Sequence, residues 1–168
     1  MNIHPLFVHF PVAFLTIYSI MEFIRLRKIT SKNYWFYTKA IILAVGFLGA
    51  LIALTTGDID KSNFERNSPE RQIISVHSTW AVISTYIYGL LVLLYIISWI
   101  DREKILSKGK LWLSLISIKN ALLDSWFCIL IAAAGLIAIT ITGALGGAIV
   151  YGPLADPFVS FIYNIFFK

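Results

Sequence analysis

Four long apolar runs divide the chain, and nearly all of its charge lies between them. A bilayer core about 30 Å thick is crossed by about 20 helical residues rising 1.5 Å each. The first run, from Pro5 to about Ile24, has no charge before Glu22 and predicts a span. It reads as a retained span and not a cleaved signal, because no basic segment precedes it and no small-residue cleavage pattern follows. The second goes from about Tyr37 to Thr56 and closes on Gly57, a residue suited to a helix C-cap. The third opens at Ser68-Pro69-Glu70, where Ser can cap and Pro can take the first helical position. It continues to about Ile100, long enough to project beyond the membrane. The fourth runs from about Ala121 to Tyr151 and is stopped by Gly152-Pro153. Leu111 to Ile118 and Phe158 to Phe167 are too short to cross; both predict interfacial helices, and the second, opened by Pro157, also suits docking. The expected fold class is all-α: an integral membrane four-helix bundle, one transmembrane domain over residues 1–168, with no convincing internal repeat.

Composition supports the bilayer as solvent. Only 14% of the 168 residues are charged, against about a quarter in an average soluble domain, so a soluble surface cannot be covered. The single Cys128 lies inside an apolar run, which excludes a disulfide framework, a Cys-rich zinc site, an iron-sulfur cluster and covalent c-type haem. It reads as a small buried hydrophobe. The net charge of +5 raises nucleic acid as a partner, but the basic residues flank apolar runs, where they are topology signals. Nucleic-acid binding is set aside. Five Lys/Arg lie between the first two spans (Arg25, Arg27, Lys28, Lys32, Lys39), three between the next two and five between the last two. The positive-inside rule places the five-charge loops in the cytoplasm. Both termini and the Asp58 to Ser68 loop then face the periplasm of a bacterial inner membrane, crossed several times.

With that topology all three histidines fall at the outer side: His4 and His9 at the start of the first span, His77 in the outer part of the third. An ionisable residue within a span is rare and usually faces the bundle interior, where it marks a site or finds a partner. Five residues separate His4 from His9, about 140° around a helix, so both cannot easily face one centre. His9 is the expected inward one, just before a kink at Pro11, with His4 near the N-cap and the headgroups. His9 and His77 at matching depth predict axial ligands for haem b, which needs no covalent Cys attachment. Space for the ring is sought in the small-residue stripes Gly46, Gly49, Ala50, Ala53, Gly57 and Gly135, Ala138, Thr142, Gly146, although such stripes equally let helices approach closely. Trp80, one turn from His77, is placed to stack on the ring or to pack as an interface anchor. Arg71 and Arg66 are candidate propionate partners or solvated loop charges. Asp58, Asp60, Asn63 and Glu65 lack the spacing and the Gly of a calcium loop. The structural alternative has each histidine bonding a neighbouring Ser, Thr or carbonyl.

The strings HPLFVHFPVAF, TTGDID and GALGGAIVY, in order and with His77 between the last two, resemble the bacterial membrane-protein family known as domain of unknown function 2231. The resemblance covers nearly the whole chain. It implies a four-span bundle, with motif positions on His4, Pro5, His9, Phe10, Pro11, Thr56, Gly57, His77, Gly146, Gly147 and Tyr151. The family carries no established reaction. Fusions of relatives to Rieske-type or c-type cytochrome domains imply redox work near the periplasm. After Tyr151, where relatives often carry a basic residue and a His, Gly152-Pro153 stands here, and a third ligand or propionate partner is lost; Asp156 is expected to shape a contact with another subunit.

The leading expectation is a haem b protein transferring electrons between the quinol pool and a periplasmic cytochrome or Rieske-type partner, an electron carrier or accessory subunit more than an enzyme by itself. No carboxylate lies mid-membrane to serve a pump. One alternative is a non-catalytic structural subunit of a respiratory or photosynthetic complex, in contact with the lipid bilayer and other subunits. Another is a copper or zinc site using His4, His9 and His77, which requires His4 to turn inward. Catalytic triads, phosphate loops and HExxH motifs are absent.

Overall fold

The computed structural model describes residues 4–61, 69–105, 109–123 and 125–168. Asn63, Glu65, Arg66 and Ser68 lie outside the described residues, as does the side chain of Asp60. The described chain is helical without strands: α1 His4–Phe23, α2 Arg27–Thr30, α3 Asn33–Lys61, α4 Pro69–Arg102, α5 Lys110–Leu123, α6 Trp126–Tyr151 and α7 Pro157–Phe167. Three helices, Asn33–Ile59, Arg71–Arg102 and Trp126–Tyr151, are long and apolar enough to cross a membrane; in α1, Phe7–Phe23 is apolar but shorter.

Helix ends follow local chemistry. The fourth span starts at Trp126, not near Ala121, because the Ser125 hydroxyl accepts from the Phe127 amide at 3.1 Å and caps α6. Residues 121–123 finish α5 instead, whose Lys119 is buried and paired with Asp101 of α4 at 3.6 Å. Gly152, at φ +92°, ends α6, and its amide returns to the Ala148 carbonyl at 3.0 Å. Asp156 is spent within the chain: its Oδ1 accepts from the Phe158 and Val159 amides at 2.8 and 2.9 Å and caps α7 behind Pro157. Gly57 is not a cap, since α3 runs on to Lys61.

α1 packs on α3 and α6, and α4 packs on the same two helices, so α1 and α4 face each other across a ring. α7 leans on α6, and α5 on α4 and α6. The outward faces carry Ile20, Leu48, Leu93 and Ile137, whereas Leu15, Tyr18, Leu43, Tyr88, Leu91 and Leu145 are fully buried. Cys128 is buried among them and free. Tyr88 and Tyr95 of α4 reach across the centre to α1: Tyr18 meets both edge-on, with centroids 6.3 and 5.8 Å apart, and the hydroxyls of Ser19 and Tyr88 share a 2.8 Å hydrogen bond.

Glycines fix the register of each hairpin. A Cβ on Gly57 would stand 3.1 Å from the His4 ring, and one on Gly46 would stand 2.7 Å from Leu15. Thus eleven residues down α1, from His4 to Leu15, match eleven up α3, from Gly57 to Gly46. The second hairpin repeats the plan. A Cβ on Gly146 would stand 3.3 Å from His77 and one on Gly135 2.9 Å from Tyr88, again eleven residues apart on each helix. The chain therefore folds as two equivalent hairpins, α1–α3 and α4–α6, related by an approximate two-fold axis along the bundle, a parallel repeat of the kind membrane bundles use. No such repeat is evident from sequence, because only the notch residues and their knobs recur.

Gly46→Ala drives a methyl into the fully buried Leu15 and should lower the thermal midpoint in detergent, at a net cost of about 1 to 2 kcal/mol after the gain in helix propensity. Gly143→Ala, with nothing within 4 Å of the added carbon, should leave the midpoint unchanged or slightly raised.

Candidate functional site

At the end of the ring formed by the α1 and α4 N-termini and the α3 and α6 C-termini, two histidines are held in the same manner. Thr56 gives its hydroxyl proton to the carbonyls of Ile52 and Ala53, at 3.0 and 3.1 Å. The same hydroxyl is hydrogen-bonded to Nδ1 of His4 at 2.9 Å. On the other hairpin, Nδ1 of His77 donates to the Thr142 carbonyl at 2.9 Å. That carbonyl lies one helical turn before Gly146, and the missing side chain exposes it to a second donor. Both rings are half-buried.

His9 points elsewhere. It lies on an exposed face of α1, so the expected choice between His4 and His9 is reversed. The cause is the register of α1 on α3, which seats His4 in the notch at Gly57 and against the Thr56 hydroxyl. The 140° separation then turns His9 outward. His4 does turn inward, the condition that a metal site requires. Among the described residues no group of three or more His, Cys, Asp or Glu is placed to hold a metal ion.

Neither small-residue stripe stands open for a macrocycle. A Cβ on Gly49 would meet Pro11 at 3.1 Å and Phe10 at 3.2 Å, and Gly146 is covered by His77 itself. Gly147 receives Val159 of α7, and Trp80 packs edge-on against Phe166 of α7 at 5.9 Å. Tyr151 is exposed, and Arg71 is half-buried and engaged in a contact. Of the residues named from sequence, the structure thus brings together His4, Thr56, Gly57, His77 and Gly146, and leaves His9, Gly49, Trp80, Gly147, Tyr151 and Arg71 outside the pair.

Residues 1–153 match the family described as a predicted membrane protein, domain of unknown function 2231. The chain belongs to this family. No curated protein and no solved structure matches it. In this member of the domain of unknown function 2231 family, the matched segment contains both hairpins and ends before α7.

A second polar cluster escapes a reading of the sequence. Glu22 is only 2% exposed, and its Oε1 accepts from Lys39 Nζ at 2.8 Å and from the Tyr95 hydroxyl at 2.6 Å. The available signal is an acidic residue inside the end of an apolar run, with a lysine just inside the start of the next. The pair continues the hairpin register: from Leu15 to Glu22 and from Gly46 to Lys39 are both seven residues. It therefore joins α1 to α3 at the end opposite the histidines. Lys39→Met strands a buried carboxylate and should cost about 3 kcal/mol in detergent unfolding, whereas E22Q/K39M, which removes both charges, should recover most of the loss.

Proposed function

We propose that the chain is a four-span bundle of the bacterial inner membrane, and that His4 and His77 are the ligand pair of a redox cofactor, haem b, near the periplasmic rim. The twenty residues of α1 reach about 30 Å, the thickness of a bilayer core, and α1 completes the ring that the three apolar helices leave open. The positive-inside pattern orients the histidine end outward.

One observation carries the reading: imidazoles from equivalent positions of two hairpins stand at the same end of the ring, each with Nδ1 hydrogen-bonded to an oxygen of its own hairpin. Ligating histidines almost always donate their other ring N–H in this way, which sets the tautomer, fixes the ring and makes Nε2 more basic. The donor set fits an imidazole-liganded group, with His4 in the place expected of His9; because the glycine stripes are filled, a haem ring would have to enter between the two hairpins and not along either stripe. What a bound haem iron supplies is one-electron storage. The protein's part is to orient both rings, to keep the site in low dielectric and to present it at one rim. The partners are then a periplasmic cytochrome or Rieske-type protein and neighbouring subunits of a larger complex, reached over the apolar outer faces.

A second reading rests on the same bonds. His4 already ties α1 to α3 and His77 ties α4 to α6, as a purely structural subunit would require. An optical and metal analysis of the protein purified from its native membrane separates the two. The haem reading expects a Soret band with split reduced bands, lost in His4→Ala and in His77→Ala but kept in His9→Ala. Colourless protein containing copper, lost in the same two variants, assigns the pair to a metal ion instead. Colourless, metal-free protein that always co-purifies with one large partner overturns the cofactor and leaves the structural subunit.

A further inference from the structure

The two hairpins cease to be equivalent at the end away from the histidines. Eighteen residues on from His4 and His77 stand Glu22 and Tyr95, and twenty-one on stand Arg25 and Ser98. Eighteen back from Gly57 and Gly146 stand Lys39 and Cys128. At these three positions the second hairpin is neutral, whereas the first brings three ionised side chains to this level. They open on a cavity of about 210 Å³ whose lining includes Glu22, Arg25, Trp35, Lys39, Ser98 and Arg102. The second hairpin adds charge to that lining only through Arg102, one turn beyond Ser98.

Lys39 is consumed by Glu22. Two cations remain over. Arg25 makes a single long contact with the Ser125 carbonyl, at 3.5 Å, and Arg102 lies over the Phe36 ring at 4.2 Å. Among the described residues neither has a carboxylate within ion-pair distance. The indole N–H of Trp35 is buried with no acceptor among them. Two guanidinium forks and an unmet N–H are all donors, and what they lack is an anion with several acceptor oxygens. Phosphate meets that description, since its oxygens match the guanidinium fork and its charge matches the excess. Basic pockets between membrane helices on the cytoplasmic side take lipid headgroups for the same reason.

We propose that this cavity binds a phosphate-bearing anion, either the headgroup of an anionic phospholipid or soluble phosphate. The site is independent of the histidine pair and survives whether or not that pair binds a cofactor. The full-length protein in detergent is titrated with phosphatidylglycerol or phosphatidylcholine and read by native mass spectrometry, and separately titrated with inorganic phosphate by calorimetry. The lipid source expects phosphatidylglycerol to be retained about tenfold better or more, with the preference lost in R25Q/R102Q. It should persist in R27Q/K28Q, which removes two exposed charges of the same loop that do not line the cavity. Inorganic phosphate binding that disappears in R25Q/R102Q, without lipid preference, assigns the site to a soluble anion. If R25Q/R102Q fails to fold by circular dichroism, R25K/R102K keeps the charge while losing the fork and should still weaken binding. Equal retention of both lipids with no phosphate binding overturns the proposal. So does a preference that survives loss of both arginines, or one that falls equally in R27Q/K28Q.

Discussion

Helix α1 is tied to the rest of the ring near both ends by side-chain hydrogen bonds. His4 holds Thr56 of α3, Ser19 meets Tyr88 of α4, and Glu22 accepts from Lys39 of α3 and Tyr95 of α4. In hydrocarbon the hydrophobic effect does not drive helices together, so packing and interhelical polar bonds decide the arrangement. α1 is the least committed of the long helices by apolar length. Its polar side chains at both ends supply the position that apolar matching cannot, because each can be satisfied only in one register.

The glycines do the complementary work. On α3 the same stripe whose small residues suggest room for a ring receives His4, Pro11 and Leu15 in turn, and on α6 it receives His77 and Tyr88. A glycine notch removes the steric reason for two helices to slide, and the large residue seated in it supplies the reason to stop. The stripe and the histidines are thus one device: the notches at Gly57 and Gly146 are the places where the imidazoles sit.

Much of this is legible in the chain. The apolar runs, the stop at Gly152-Pro153 and the clustering of histidines at one end follow from hydropathy, helix-breaking residues and charge bias, which act locally. The choice between His4 and His9 is not legible, because it depends on the register of α1 against α3, and Gly57 looks like a terminus until its notch is seen filled. Nor is the ion pair. Glu22 and Lys39 stand near the ends of consecutive runs and each alone resembles a flanking interfacial charge; only the antiparallel register that brings Leu15 to Gly46 brings them together. Helix period and charge position are properties of single segments, whereas register belongs to a pair.

An approximate two-fold axis sets like against like, and that is awkward for polar groups, since two acids repel and two donors cannot bond. At the end away from the histidines the chain has resolved the difficulty by divergence. Opposite Glu22 stands not a second carboxylate but Tyr95, a donor, and the two close to 2.6 Å. One turn nearer the centre, Tyr88 bonds Ser19 of the other hairpin, again an unlike pair. At the opposite end the like pair is kept, imidazole and imidazole, because there each hairpin satisfies its own ring: His4 on the Thr56 hydroxyl and His77 on the Thr142 carbonyl. A polar group met within its own hairpin needs no unlike partner across the axis, whereas one that reaches across it does.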